Sequence, residues 1–164
     1  MKTITFRRIF RYNIDIMNWR KIEMTERTLA IVKPDGVNQK KVGEIIRRIE
    51  RKGYDIIAIK MLQADEKLLR QHYAELVGRP FFPGLLKYMM ENEVVAMVVE
   101  GDNVVKGWRT LMGTTNPTEA TPGTIRGDFG RDWPGDEVRN VVHGSDTPEN
   151  AEREIKLWFP ELKR

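Results

Sequence analysis

Apolar residues recur along this chain in two rhythms, short continuous runs and spacings of three and four, and turn signals separate one from the next. Thr28-Leu-Ala-Ile-Val32 is an apolar run that reads as a short strand, and Lys33-Pro-Asp-Gly36 forces a turn behind it. Val42, Ile45, Ile46 and Ile49 follow at helical spacing, with Gly53 as the stop. Residues 54–61 are rich in β-formers and predict a second strand. Asp65 is placed to cap a helix carrying Leu68, Leu69, His72, Tyr73 and Leu76, which Arg79-Pro-Phe-Phe-Pro-Gly84 breaks. Leu85, Leu86, Met89 and Met90 form another short apolar face, and residues 94–99 predict a third strand. Asp102 is expected to cap a helix bearing Val104, Val105, Trp108 and Leu111, stopped by Gly113.

Periodicity is lost over residues 113–139, where Gly, Pro, Thr and Asp dominate, so a long loop is expected. Val141 and Val142 then read as the end of a buried strand, with His143 where it runs out and Gly-Ser-Asp turning away. Thr147 caps a last helix that has Pro148 at its first position and carries Ile155 and Trp158. The order is strand-helix-strand, a helical stretch, strand-helix-strand, helix. It predicts an α+β fold, a ferredoxin-like split-βαβ sandwich with an antiparallel sheet and helices packed around it. The split order by itself assigns those helices to one face of the sheet.

The chain has 164 residues, 40% hydrophobic and 32% charged, which fits one soluble domain with a substantial core. It has no cysteine, so disulfide scaffolds, thiolate nucleophiles and cysteine-built metal sites are excluded, and two histidines are too few for a histidine-rich metal site. No apolar run approaches membrane-spanning length. The net charge of +4 invites a nucleic-acid reading. Its distribution argues against nucleic acid as the main ligand. Residues 1–23 hold six basic side chains and two acids, and the remaining chain balances 22 against 22. Residues 1–23, Arg-rich and acid-poor, read as an extension outside the fold, and residues 24–164 as the domain. A cytoplasmic location is expected, with organellar targeting by the leader as the other reading.

Four polar groups stand where packing does not require them: Lys33 after the first strand, Arg109 on the helix with Trp108, Arg126 in the long loop, and His143. Three cations and one nucleophilic imidazole suit phosphoryl transfer, which needs positioning and neutralisation of spread negative charge. Gly-Lys-Ser/Thr and GxGxxG phosphate loops are absent, and Asp128-Phe129-Gly130 lacks the other kinase signatures that would give it meaning. Without such a loop, an imidazole intermediate is the natural way to handle a phosphate.

Asn140-Val-Val-His-Gly-Ser-Asp146 resembles the active-site motif of the nucleoside diphosphate kinases. Glu26-Arg-Thr-Leu-Ala-Ile-Val-Lys-Pro-Asp-Gly-Val37 is similar to that family's opening strand and turn. His72-Tyr73, Arg79-Pro-Phe-Phe82, Met112-Gly-Thr-Thr-Asn-Pro117 and Pro122-Gly-Thr-Ile-Arg-Gly-Asp-Phe129 resemble its nucleotide-clamping segments. The match runs in order over about residues 24–160, and the motifs together are highly specific. The resemblance implies a ping-pong kinase in which Nδ1 of His143 takes the γ-phosphate of a nucleoside triphosphate and passes it to a nucleoside diphosphate. It implies that Asn140 and Lys33 contact the ribose, Lys33 also lying near the transferred phosphate, and that Phe81 stacks on the base. Arg109, Thr115 and Arg126 would hold the β- and γ-phosphates. Tyr73 would lie beside the imidazole, with Ser145 and Glu154 orienting it. Mg²⁺ would bridge the phosphates without direct protein ligands. The resemblance implies a homo-oligomer, a hexamer ahead of a tetramer; the tetramer stays in play because the longer tail that helps the hexamer of eukaryotic members is missing here.

Three departures stand out. Residues 130–139 are a few residues longer than the usual spacing, in a segment that normally gives an apolar contact to the second face of the base. Val138 can serve there, and Trp133 or Asp136 could sharpen selectivity if either reached the base. Trp108 stands where the family often has glycine. The leader has no family counterpart. Nothing in the matched set reads a base edge, so broad base specificity is expected.

Overall fold

The computed structural model of the chain describes residues 25–134 and 138–162. The expectations for residues 1–23 and for Asp136 lie outside the described residues. Four strands, β1 (Thr25–Val32), β2 (Asp55–Leu62), β3 (Val94–Asp102) and β4 (Val142–Gly144), form one antiparallel sheet in the order β2-β3-β1-β4. Strand β3 lies between β1 and β2, so both halves are split βαβ units, and the fold is the ferredoxin-like α+β sandwich.

The core lies on both faces of that sheet. Residues 28–32 of β1 and 94–99 of β3 are buried at every position, so neither strand has a polar side to turn to water. Leu29 and Ile31 pack on one face with Leu69, Met89 and Trp158, whereas Ala30 and Val32 pack on the other with Ile45, Trp108 and Ile125. The first face is covered by α3 (Glu66–His72), α4 (Phe82–Met90) and α7 (Pro148–Trp158). The second is covered by α2 (Val42–Arg51), α5 (Val104–Met112) and α6 (Ile125–Phe129). The one-faced arrangement suggested by the split order holds for α2, α5 and α6 and fails for α3, α4 and α7, which cover the opposite face. The uninterrupted apolar runs of β1 and β3 are the physical reason, because each demands cover on both sides.

Local expectations differ in four places. The turn after β1 is the short helix α1 (Pro34–Asn38), opened by its proline. The stretch 113–139 is not all loop: it holds α6, whose cap Thr124 accepts from the Gly127 N–H at 3.1 Å. Arg126 therefore projects from a helix. Asp102 ends β3, and the residue capping α5 is Asn103, with φ +51° and no side-chain cap bond. His143 is the central residue of β4 and pairs in register with Ile31. Asp65 and Thr147 cap their helices as expected, accepting from Leu68 N–H and Asn150 N–H.

Candidate active site

The last strand and the last helix fix the imidazole between them. Thr147 and Pro148 start α7 directly after the turn that follows β4, and two turns later the helix brings Glu154 back beside the strand. Glu154 is buried, and its Oε2 lies 3.3 Å from Nε2 of His143. The same oxygen accepts from Oγ of Ser145 at 2.6 Å. Ser145 is tied in turn to β1, because its Oγ accepts from the Leu29 N–H at 3.2 Å. A carboxylate accepts only, so the contact with Glu154 assigns the ring proton to Nε2 and leaves the lone pair on Nδ1 of His143.

Beside the imidazole opens a cleft of about 490 Å³. Lys33, Tyr73, Phe81, Arg109, Thr115, Arg126, Asn140, His143 and Glu154 all line it, and Ser145 lies buried behind His143. The ten residues given a site role by the resemblance thus converge on one place. Lys33 leaves the end of β1 and donates through Nζ to Oδ1 of Asn140 at 2.7 Å. Asn140 Nδ2 donates to the Thr115 carbonyl at 2.9 Å, which closes the clamp across the cleft. Arg126 donates from Nε, Nη1 and Nη2 to the carbonyls of Asn140, Gly113 and Val142 at 3.2, 3.0 and 2.8 Å. Phe81 and Val138 remain 50% and 55% exposed at the mouth of the cleft, two apolar surfaces with no partner in the core.

The cations bear the electrostatic strain of this crowding. Burial, followed by the repulsion of Arg126, lowers Lys33 to about 8, against which Asp35 acts as a favourable neighbour. Burial and then Arg109 lower Arg126 to about 10, still protonated at neutral pH. Tyr73 is raised, chiefly by burial and then by Glu154, so its hydroxyl stays a donor. Acids on the cleft wall are few. Glu154 serves His143 and Ser145, Asp146 accepts from Asn150 at 2.7 Å, and Glu75 completes the set.

The family profile described as nucleoside diphosphate kinase matches residues 26–163. Nucleoside diphosphate kinase B of Bos taurus is 57% identical over 134 residues, covering 82% of this chain and 86% of that one. This chain belongs to the nucleoside diphosphate kinase family. The corresponding protein of Saccharomyces cerevisiae is 55% identical over 135 residues, with the same coverages of 82% and 86%. Among solved structures, an apo nucleoside diphosphate kinase from Encephalitozoon cuniculi aligns with a TM-score of 0.77 at 42% identity, covering 82% of this chain and 88% of that one. Within this family frame, Val138 lines the same cleft as Phe81, whereas Trp133 lies in an adjoining depression with Arg131 and Arg139. Asp128 of the kinase-like tripeptide is a structural ion-pair partner, 2.7 Å from Arg48.

Four side chains at the site were not assigned a role by sequence reasoning. His72 is buried against His143, the two rings edge to face with centroids 4.5 Å apart. Trp158 donates from Nε1 to Nδ1 of His72 at 3.1 Å, which fixes the His72 proton on Nε2. His72, His143 and Glu154 bring one ligand atom each within 4.8 Å, a spacing that could suit a metal ion. Their hydrogen bonds to Trp158 and Ser145 instead occupy them as a polar network. Trp108 donates from Nε1 to the His143 carbonyl at 3.2 Å, and buried Asp35 accepts from Tyr88 and from the Val141 N–H. Helical spacing signals only that His72, Trp108 and Trp158 face a core.

Burial, then the neighbouring His143, Arg153 and Lys33, hold His72 well below the ordinary histidine range. It is therefore expected to stay neutral as an Nε2–H tautomer between about pH 5.5 and 8. Two-bond ¹⁵N–¹H correlation spectra across that range check this; a His72 ring that titrates there contradicts it.

Proposed function

We propose that the chain is a ping-pong nucleoside diphosphate kinase of broad base specificity, serving to balance nucleotide pools, with His143 as the group that carries the phosphate. One observation carries the reading: the Glu154 carboxylate faces Nε2 of His143 at 3.3 Å as a hydrogen-bond acceptor, beside a cleft lined by Lys33, Arg109 and Arg126. In the first half-reaction Nδ1 attacks the γ-phosphorus of a nucleoside triphosphate. A P–N bond forms, the bond from phosphorus to the β-bridging oxygen breaks, and its electron pair leaves with the diphosphate. The Nε2 proton stays on the ring, and the Glu154 carboxylate faces the positive charge the ring acquires. In the second half-reaction a terminal oxygen of a nucleoside diphosphate attacks the phosphorus, and the P–N pair returns to Nδ1.

Lys33, Arg109 and Arg126 offset charge on the β- and γ-phosphates, and Thr115 borders them. Lys33 and Asn140 hold the ribose hydroxyls, and the Tyr73 hydroxyl, a buried donor with no protein partner, faces the transferred group. Phe81 stacks on the base, with Val138 across from it. The donor set fits Mg²⁺ borne on the nucleotide phosphates, since Glu154 is committed to His143 and Ser145 and the other wall acids, Asp146 and Glu75, form no carboxylate cage. When bound it would supply charge neutralisation at the phosphates.

We further propose that residues 24–164 are the catalytic domain and residues 1–23 an extension dispensable for catalysis, and that the enzyme works in the cytoplasm. No helix among the described residues is long and apolar enough to cross a membrane. A homo-oligomer, a hexamer ahead of a tetramer, is supported by edge strand β2, which exposes Ile57, Ile59 and Met61 in a row.

Incubation with γ-labelled ATP and Mg²⁺ should give an acid-labile, alkali-stable label on the wild type, none on His143→Ala, and a retained label on His72→Ala. Label that survives in His143→Ala refutes the assignment.

Lys33 acts as a cation and is lowered to about 8, so kcat/KM should fall as the pH rises through about 8. A pH profile flat up to pH 10 contradicts a charged Lys33 on the phosphates.

Stacking on Phe81 tolerates every base, so kcat/KM across GDP, CDP, UDP and dTDP should span no more than about two orders of magnitude, purines leading. Phe81→Ala should lower all of them, purines most. Preference for one base beyond about a thousandfold would sink the stacking account.

Light scattering of the full chain and of a form lacking residues 1–23 should show the same oligomer, with equal activity. A monomer at micromolar concentration refutes the assembly, and a truncated form that fails to fold refutes the boundary.

A further inference from the structure

Among the described residues, three non-glycine positions have positive φ: Lys40, Asn103 and Val141. Lys40 and Asn103 lie at helix boundaries, whereas Val141, at φ +67°, is β-branched and fully buried. Such a residue is strained there. The Val142 N–H donates to the Asn140 carbonyl at 2.7 Å, so Val141 is the centre of a three-residue turn of the rare strained hand. That turn separates Asn140, bonded to Lys33, from His143. Its shape sets both side chains on the cleft.

Both backbone groups of Val141 are held by one segment of chain. Its carbonyl accepts from the Lys33 N–H at 2.8 Å, and its N–H donates to Oδ2 of Asp35 at 3.1 Å. The other carboxylate oxygen of Asp35 accepts from the Tyr88 hydroxyl at 2.6 Å. Asp35 is 3% exposed. A Cβ on Gly36 would meet Val141 Cγ1 and its carbonyl oxygen at 3.0 Å each, so the approach of α1 to the turn leaves no slack. Asp35 touches no group that the transfer steps place on the nucleotide other than through its favourable charge toward Lys33 and Arg126. We infer that Asp35 is a positioning residue for phosphoryl transfer: its carboxylate keeps Val141 in the left-handed turn that aims Asn140 and His143. Without that acceptor the Val141 N–H is an orphan donor in the core, and the valine gains by relaxing to an extended backbone, which swings the imidazole off its line.

This inference rests on the kinase reading. A double-mutant cycle on the rate of phosphoenzyme formation from γ-labelled ATP and Mg²⁺ tests it, because glycine adopts positive φ without help. Asp35→Ala should slow labelling about tenfold or more. In the Val141→Gly background the same substitution should cost less than about threefold. Asp35→Asn should stay within about threefold of the wild type, since its amide oxygen can accept from Val141 while its NH₂ donates to the Tyr88 oxygen. A residue that only stabilises the fold would cost the same factor in both backgrounds, and that result overturns the proposal, as does Asp35→Ala labelling at the wild-type rate. If Asp35→Ala does not fold, a double variant that folds and labels near the Val141→Gly rate supports the proposal, and a double variant that also fails to fold overturns it. An unlabelled wild type refutes the kinase reading and this role with it, whereas a labelled wild type with equal losses refutes this role alone.

Discussion

The chemistry available at this site depends on which nitrogen of His143 bears the proton, and one buried carboxylate decides it. Glu154 is held from two sides: α7, capped by Thr147, delivers it, and the Ser145 hydroxyl bonds the oxygen that faces the imidazole. Ser145 is anchored by the Leu29 N–H, so the position of the carboxylate is referred back to the central strand of the sheet. A neutral ring with its proton pinned on Nε2 needs no general base to become a nucleophile at Nδ1. In the proposed transfer, the charge it would gain on phosphorylation would be met by a group already in place, with no reorganisation at the moment of transfer.

The cation cluster follows from a different balance. Lys33 and Arg126 are both buried and repel one another, and lowering Lys33 from 10.5 to about 8 corresponds to roughly 3 kcal/mol against the charged form. Arg126 tolerates burial because three backbone carbonyls accept from it, and those bonds spend most of its directional donors inside the protein. In the proposed reaction it would act on phosphate through charge at fixed position. Lys33 donates to the Asn140 side chain and, as an ammonium, has donors to spare for a ligand. A polyanionic nucleotide relieves the repulsion between these groups, so part of the unfavourable energy of the empty cleft returns as binding.

Much of this was legible in the sequence, because strands β1 to β3 and the capped helices have clear periods and Asp65 and Thr147 act as caps. The ten residues matched by motif all converge, nine on the cleft wall and Ser145 behind it. What escaped was set by contacts distant in sequence. Helix α6 has five residues, too few to show a period. Val141, read as ordinary strand from its β-branched side chain, takes a backbone conformation that such a residue adopts only when others hold it. Asp35 looked like a turn former, and its partners Tyr88 and Val141 lie 53 and 106 residues away. His72 and Trp158 each look like core residues of an amphipathic helix, and their mutual bond is visible only once α3 and α7 pack.

The two ends of the cleft impose unequal constraints on the chain. At the phosphate end, the contacts are directional, short and linked: moving Asn140 disturbs Lys33, Arg126 and Thr115 together. At the base end, Phe81 and Val138 offer exposed apolar surface with no hydrogen-bond geometry to preserve. After α6, Trp133 settles outside the cleft, with the Arg131 guanidinium 4.3 Å and that of Arg139 5.6 Å from its ring centre. Trp108 is the contrasting case, since it lies under the reacting strand. Its indole fills the space beneath Gly144, where a Cβ would come within 2.4 Å of the ring, and its N–H bonds the His143 carbonyl from the face opposite the imidazole. A bulky side chain is accommodated there because the strand offers a glycine and an acceptor at adjacent residues. Variation near the chemistry is thus confined to changes that leave the backbone of β4 where it is, whereas the base end can vary in length and side chain without touching the reacting atoms.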